Sequence, residues 1–160
     1  MSSPDPSLLT ITYPEDQPGL AILTLHRHPV NSMNLALWQA LSSCLTQLEA
    51  NPKVRSLIFR SGLSRPIFTA GNDINELHAK RTTRERYIKF WITKNQFLAR
   101  LLRTRLTTGV CVKGACPAAG TCLAMCCDVR VGTEDVTMGL NEVALGISVP
   151  VVWTKLLARI

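Results

Sequence analysis

The sequence predicts an α/β fold with mostly parallel strand pairing. Two observations carry that expectation. β-rich runs at Leu20–Leu25 and at 54–60 flank a helical stripe over Leu35–Ala50, and a strand–helix alternation returns further along the chain. Strands that alternate with helices pair in parallel through helical crossovers. Composition sets the class: 160 residues, 46% hydrophobic and 18% charged, make one globular domain rather than a disordered chain.

Residues 1–19 are Pro-rich and polar and read as a loose, flexible arm; residues 20–160 form the core domain. Leu20–Leu25 (LAILTL) is a strand, and 26–32 a loop broken by Pro29. Leu37, Trp38, Leu41, Cys44, Leu45 and Leu48 then recur at helical spacing on one face. Asn34 can cap that helix and Asn51-Pro52 ends it. A strand follows at 54–60, a Gly/Pro-punctuated loop at 61–71 and a short helical segment at 73–79. The longer helical pattern at 81–106 places Tyr87, Phe90, Trp91, Lys94, Leu98 and Leu101 on one face. Arg81, Arg84, Arg86, Lys89, Arg100 and Arg103 lie on the other, a solvated face or a source of phosphate contacts. A strand at 110–113, a small-residue loop at 114–120, a short buried helix at 120–127 and a strand at 128–132 come next. The apolar stretch 149–160 restarts a helix and stops without a closing turn, which reads as a fold cut short with apolar surface left exposed.

The formal net charge of +7 favours anionic partners: nucleic acid, acidic membrane or a phosphate-bearing ligand. No apolar run is long enough for a transmembrane helix, and MSSPDPSLLT resembles neither a secretory signal nor a transit peptide. No nucleic-acid module signature is present, so no nucleic-acid partner is expected. The six cysteines form no C-x-x-C pair, and several lie in apolar runs, where they act as small hydrophobes. They read as reduced thiols of an intracellular protein with no metal site. His26, His28 and His78 show no nucleophile–base pattern.

Three segments could carry chemistry: Phe68-Thr-Ala-Gly-Asn-Asp73, Gly114-Ala-Cys-Pro-Ala-Ala-Gly120 and Gly139-Leu-Asn-Glu142. Each alone is an ordinary turn, and Glu142 alone is as well explained by a salt bridge in a loop. Together they share a logic. Small residues let backbone N–H groups approach a ligand, and two such loops can aim two donors at one carbonyl oxygen. The second loop also opens a helix, whose N-terminus favours negative charge. Glu142 lies among Met138, Leu140, Val143, Leu145 and Ile147 in sequence, an apolar setting that would raise a carboxyl pKa and suit proton transfer near neutral pH.

In this order the three motifs resemble the crotonase (enoyl-CoA hydratase/isomerase) superfamily, and Pro29-Val-Asn-Ser-Met33 resembles its early loop near the CoA. GACPA and GLNE are most similar to the Δ3,Δ2-enoyl-CoA isomerase branch of fatty-acid oxidation. The resemblance implies a crotonase-like ββα-spiral core with its C-terminal part missing. It implies oxyanion donors at the N–H groups of Asn72 and Ala119, and a proton shuttle at Glu142. Ala70, Gly71, Asn72, Asp73 and Ile74 would frame the CoA, and Asn141 would lie beside the acyl group. Two positions depart from the pattern. Ala119 stands where relatives often have Gly, tolerable only if its φ stays negative. Cys122 stands where hydratases carry a second glutamate. Hydration uses two carboxylates, whereas moving a double bond needs one base, so the departure favours an isomerase taking 3-enoyl-CoA to trans-2-enoyl-CoA. The alternatives are a hydratase or other thioester enzyme, or a non-catalytic acyl-CoA-binding paralogue. No metal or separate cofactor is expected, CoA being part of the acyl-CoA thioester substrate. The resemblance further implies a homotrimer in the mitochondrial matrix or the peroxisome.

Overall fold

The computed structural model describes residues 5–146 and 148–158. Its strands are β1 (Leu9–Thr12), β2 (Leu20–Leu25), β3 (Ser56–Ser61), β4 (Thr107–Val112), β5 (Ala115–Pro117), β6 (Val129–Gly132) and β7 (Thr137–Gly139). Its helices are α1 (Leu35–Ala50), α2 (Arg84–Leu101), α3 (Ala119–Met125) and α4 (Val151–Leu157), with short 3-10 turns at Ile74–Glu76 and Glu142–Leu145. The main sheet runs β1-β2-β3-β4-β6, and every pair but β1–β2 is parallel. A second sheet pairs β5 with β7 in parallel.

α1 spans the predicted residues. The Asn34 side chain accepts the Leu37 N–H at 2.9 Å, and the apolar stripe from Leu37 to Leu48 is buried. That stripe meets α2 through Trp38 and Phe97, whose rings lie 5.6 Å apart. Each such side chain contributes roughly 1.5–3 kcal/mol by leaving water. Arg105 secures the far end of α1 by donating to the carbonyls of Leu48, Glu49, Asn51 and Val54. α2 starts later than its pattern predicts, because the Thr83 hydroxyl caps it by accepting the Arg86 N–H. Tyr87, expected on the buried face, is 40% exposed. The opposite, basic face is partly structural: Arg86 pairs with Glu76 and Arg100 with Glu49.

The strands β1, β5 and β7 differ from the sequence expectation. The segment expected as a loose arm holds β1, whose Leu9 is fully buried and which pairs antiparallel with β2. β5 and β7 are three residues each, too short to leave a periodic signal, and they form against each other. The predicted helix at 149–160 is seen as α4; residues 159–160 lie outside the described residues. Apolar surface stands open on β6, which is exposed throughout, with Val129 at 53% and Val131 at 60%.

Candidate active site

The 68–73 segment is held largely by main-chain bonds. Phe68 N–H donates to the Ala115 carbonyl and Ala70 N–H to that of Val30. The Thr69 hydroxyl donates to the Asn31 carbonyl at 2.6 Å and accepts from Gly71 N–H. Met33 then pairs across a bridge: its N–H donates to the Gly71 carbonyl, and its own carbonyl accepts from Asp73 N–H. Backbone groups alternate in direction along an extended chain. The N–H of Asn72 therefore points away from Met33, and it has no partner among the described residues.

Gly71 at φ +85° brings this segment against the second loop. A Cβ added there would lie 3.1 Å from the Pro117 carbonyl oxygen and 3.8 Å from the Ala119 nitrogen. The second loop runs from β5 into α3. Ala119 is the first residue of α3 and is fully buried, and its N–H, one of the free donors of a helix start, has no partner among the described residues. Ala119 is not at positive φ, so its methyl meets the condition set by the sequence. The strain falls one residue earlier, at Ala118 with φ +50° and ψ −114°. The Ala118 N–H donates to the Gly139 carbonyl at 2.8 Å.

That bond and the β5–β7 pairing tie in the third segment. Gly139 N–H donates to the Thr121 hydroxyl at 2.8 Å, and that hydroxyl donates to the Cys116 carbonyl at 2.6 Å. Further along, Glu142 opens a 3-10 turn with its side chain buried and Oε2 without a hydrogen-bond partner among the described residues. The structure departs here from the apolar neighbourhood suggested by sequence. Met138, on β7, is 39% exposed, and Val143 is 76% exposed because the tight turn swings it outward while Glu142 points in. Ile147 and the side chain of Leu145 lie outside the described residues.

Near Glu142 lies a residue that the periodicity places on the apolar stripe. Lys94 of α2 is fully buried, and its Nζ has no hydrogen-bond partner among the described residues. It sits 3.4 Å from the centroid of Trp91 and 4.1 Å from that of Trp153, a cation–π box. Burial pulls Lys94 down to about 7, while its neighbours Cys122 and Glu142 act in the opposite direction. Cys122 is pushed up, chiefly by burial, and stays a neutral thiol. A lysine inside an apolar stripe was the available signal, since lysine is almost never fully buried without a partner.

The remaining predicted positions divide. Asp73 is buried and paired with Arg27 at 2.8 Å, whereas Ala70, Ile74 and Asn141 are exposed. Among the described residues no group of three His, Cys, Asp or Glu side chains could hold a metal ion, and no helix is long and apolar enough to cross a membrane. A cavity of about 500 Å³ lies on the open sheet face, lined by residues that include Ile58, Gly109, Cys111, Val129 and Val131; Asn72, Ala119 and Glu142 do not line it. The candidate site is instead defined by unspent polar groups. Two main-chain donors and a buried carboxylate can polarise a carbonyl and move a proton beside it.

The model of the family described as enoyl-CoA hydratase/isomerase matches residues 15–160. The chain is 34% identical over 143 residues to enoyl-CoA delta isomerase 1, mitochondrial, of Mus musculus, covering 88% of this chain and 48% of that protein. It is 30% identical over 135 residues to methylglutaconyl-CoA hydratase, mitochondrial, of Homo sapiens, covering 83% and 39%. The crystal structure of human mitochondrial delta3-delta2-enoyl-CoA isomerase superposes with a TM-score of 0.85 at 30% identity, covering 93% of this chain and 57% of that one. The chain thus spans about half the length, or less, of the curated relatives it matches. With the family model matching nearly the whole sequence and the α/β architecture shared with a solved isomerase, the chain belongs to the enoyl-CoA hydratase/isomerase (crotonase) family.

Proposed function

We propose that the chain carries the reaction centre of a Δ3,Δ2-enoyl-CoA isomerase. A 3-enoyl-CoA binds with its thioester oxygen toward the N–H groups of Asn72 and Ala119. Glu142 removes a C2 proton, and the electron pair delocalises to give a dienolate whose negative charge rests on that oxygen. Protonated Glu142 returns the proton to C4, leaving the trans-2-enoyl-CoA and a carboxylate ready for the next turnover. Each oxyanion donor in a preorganised site is worth about 3–4 kcal/mol. Residues 70–74 and Asn141 frame the CoA and acyl group.

The observation that supports this reading most is the meeting of the Gly71–Asn72 turn with the Ala118–Ala119 turn while the Asn72 and Ala119 amides stay unspent among the described residues. The neutral thiol of Cys122, standing where hydratases use a second carboxylate, favours isomerisation over hydration. The names of the isomerase relatives support the mitochondrion as the compartment. Turnover of 3-enoyl-CoA against 2-enoyl-CoA separates isomerase from hydratase. Glu142→Gln should bind the CoA ester normally and lose isomerisation; near-normal turnover in that variant rejects the assignment.

A further inference from the structure

Isomerisation as proposed uses one side chain, yet a second ionisable group is buried nearby with no assigned task. Lys94 reaches in from α2 with its hydrogen-bond donors unspent among the described residues, against the rings of Trp91 and Trp153. An ammonium buried without an acceptor opposes folding, and a position needing only packing could hold Met or Leu. Glu142 presents the complementary feature, a buried Oε2 with no donor among the described residues. The two form no ion pair among the described residues, but Glu142 raises the Lys94 pKa against the pull of burial.

We propose that Lys94 is a positioning residue for the reaction: its buried ammonium orients the side chain of Glu142, so that turnover requires Lys94 in its protonated form. This inference rests on the isomerase reading. The two indole rings hold the ammonium by cation–π attraction without consuming its hydrogen-bond donors, which leaves its charge to act toward Glu142. The titratable groups that act on Lys94 are Cys122 from α3 and Glu142 from the 3-10 turn, with Cys126 and Cys116 acting in turn on Cys122. From α4 the facing group is the uncharged Trp153. Cys122 stays neutral in the working range, which leaves Lys94 as the group that changes state near pH 7.

The test compares the parent chain with Lys94→Met, Lys94→Arg and Glu142→Gln. Turnover of 3-enoyl-CoA by the parent should fall as pH rises through the lysine titration near 7. Lys94→Arg, charged throughout, should carry activity to higher pH. Lys94→Met should be slower by at least about tenfold, without that alkaline fall, although it folds more stably for want of a buried charge. The parent rate and pH profile in Lys94→Met, with Glu142→Gln inactive, would overturn the role of Lys94 and leave the isomerase reading intact. Loss confined to substrates with a carboxylate on the acyl tail would also overturn it, making Lys94 an anion subsite. NMR titration of the lysine side chain gives a readout independent of turnover. The Lys94 midpoint should drop in Glu142→Gln, and an unchanged midpoint overturns the coupling whatever the isomerase assay shows.

Discussion

Two buried charges, Glu76 just before α2 and Lys94 within it, are treated in opposite ways. Glu76 is 2% exposed, and both of its oxygens are taken. Arg86 donates to them at 2.8 and 2.6 Å, and the Leu35 N–H donates to Oε1 at 3.0 Å. That carboxylate joins the turn after the Asn72 loop to the start of α1 and to α2. Lys94 is likewise buried and makes no hydrogen bond through its Nζ among the described residues. A buried charge with its bonding capacity answered is a structural tie; one left unanswered near another unanswered group is a candidate for chemistry.

Removing the unanswered carboxylate should have the largest consequence. Glu142→Gln should reduce isomerase turnover by about 10²–10⁴-fold, the usual range for a removed general base, with CoA-ester affinity unchanged in equilibrium binding. Glu76→Ala should instead act on stability. Losing the charge-assisted bonds to Arg86 and Leu35 should lower the unfolding free energy by about 3 kcal/mol in urea titrations. Lys94 differs from Glu76 in sign, because its charge opposes folding. Its folded value near 7 lies below its ordinary value of 10.5, so the unfolded chain holds the extra proton between them and stability rises with pH across that interval. Taken as the difference between the parent and Lys94→Met, in which the shared titration of the cysteine thiols cancels, the gain from about pH 7 to 8.5 should be about 2 kcal/mol. Backbone strain at the same site should matter least. Ala118→Gly should relieve the positive φ and stabilise the chain by about 1 kcal/mol in the same titration.

Much of this was legible from the chain alone, and the boundary has a physical cause. α1 was readable to the residue because Asn34, the Leu37–Leu48 stripe and Asn51-Pro52 are local signals that agree. The three loop motifs were readable as places where backbone could approach a ligand, through their small residues and their order. The isolation of Lys94 was not, since a lysine on a helix face usually carries its head to water, and Trp153 of α4 closes the box from far along the chain.

Capping, periodicity and turn chemistry act over a few neighbours. The order of residues is therefore enough to settle most of the helices and parallel strands, and which segments carry the small residues and the carboxylate. Folding in three dimensions was needed to leave the Asn72 and Ala119 amides unspent, to turn Glu142 inward while Val143 turns out, and to bring a lysine near it. Those outcomes depend on β5 meeting β7 and α2 meeting α4, contacts between distant stretches whose energies no local pattern encodes.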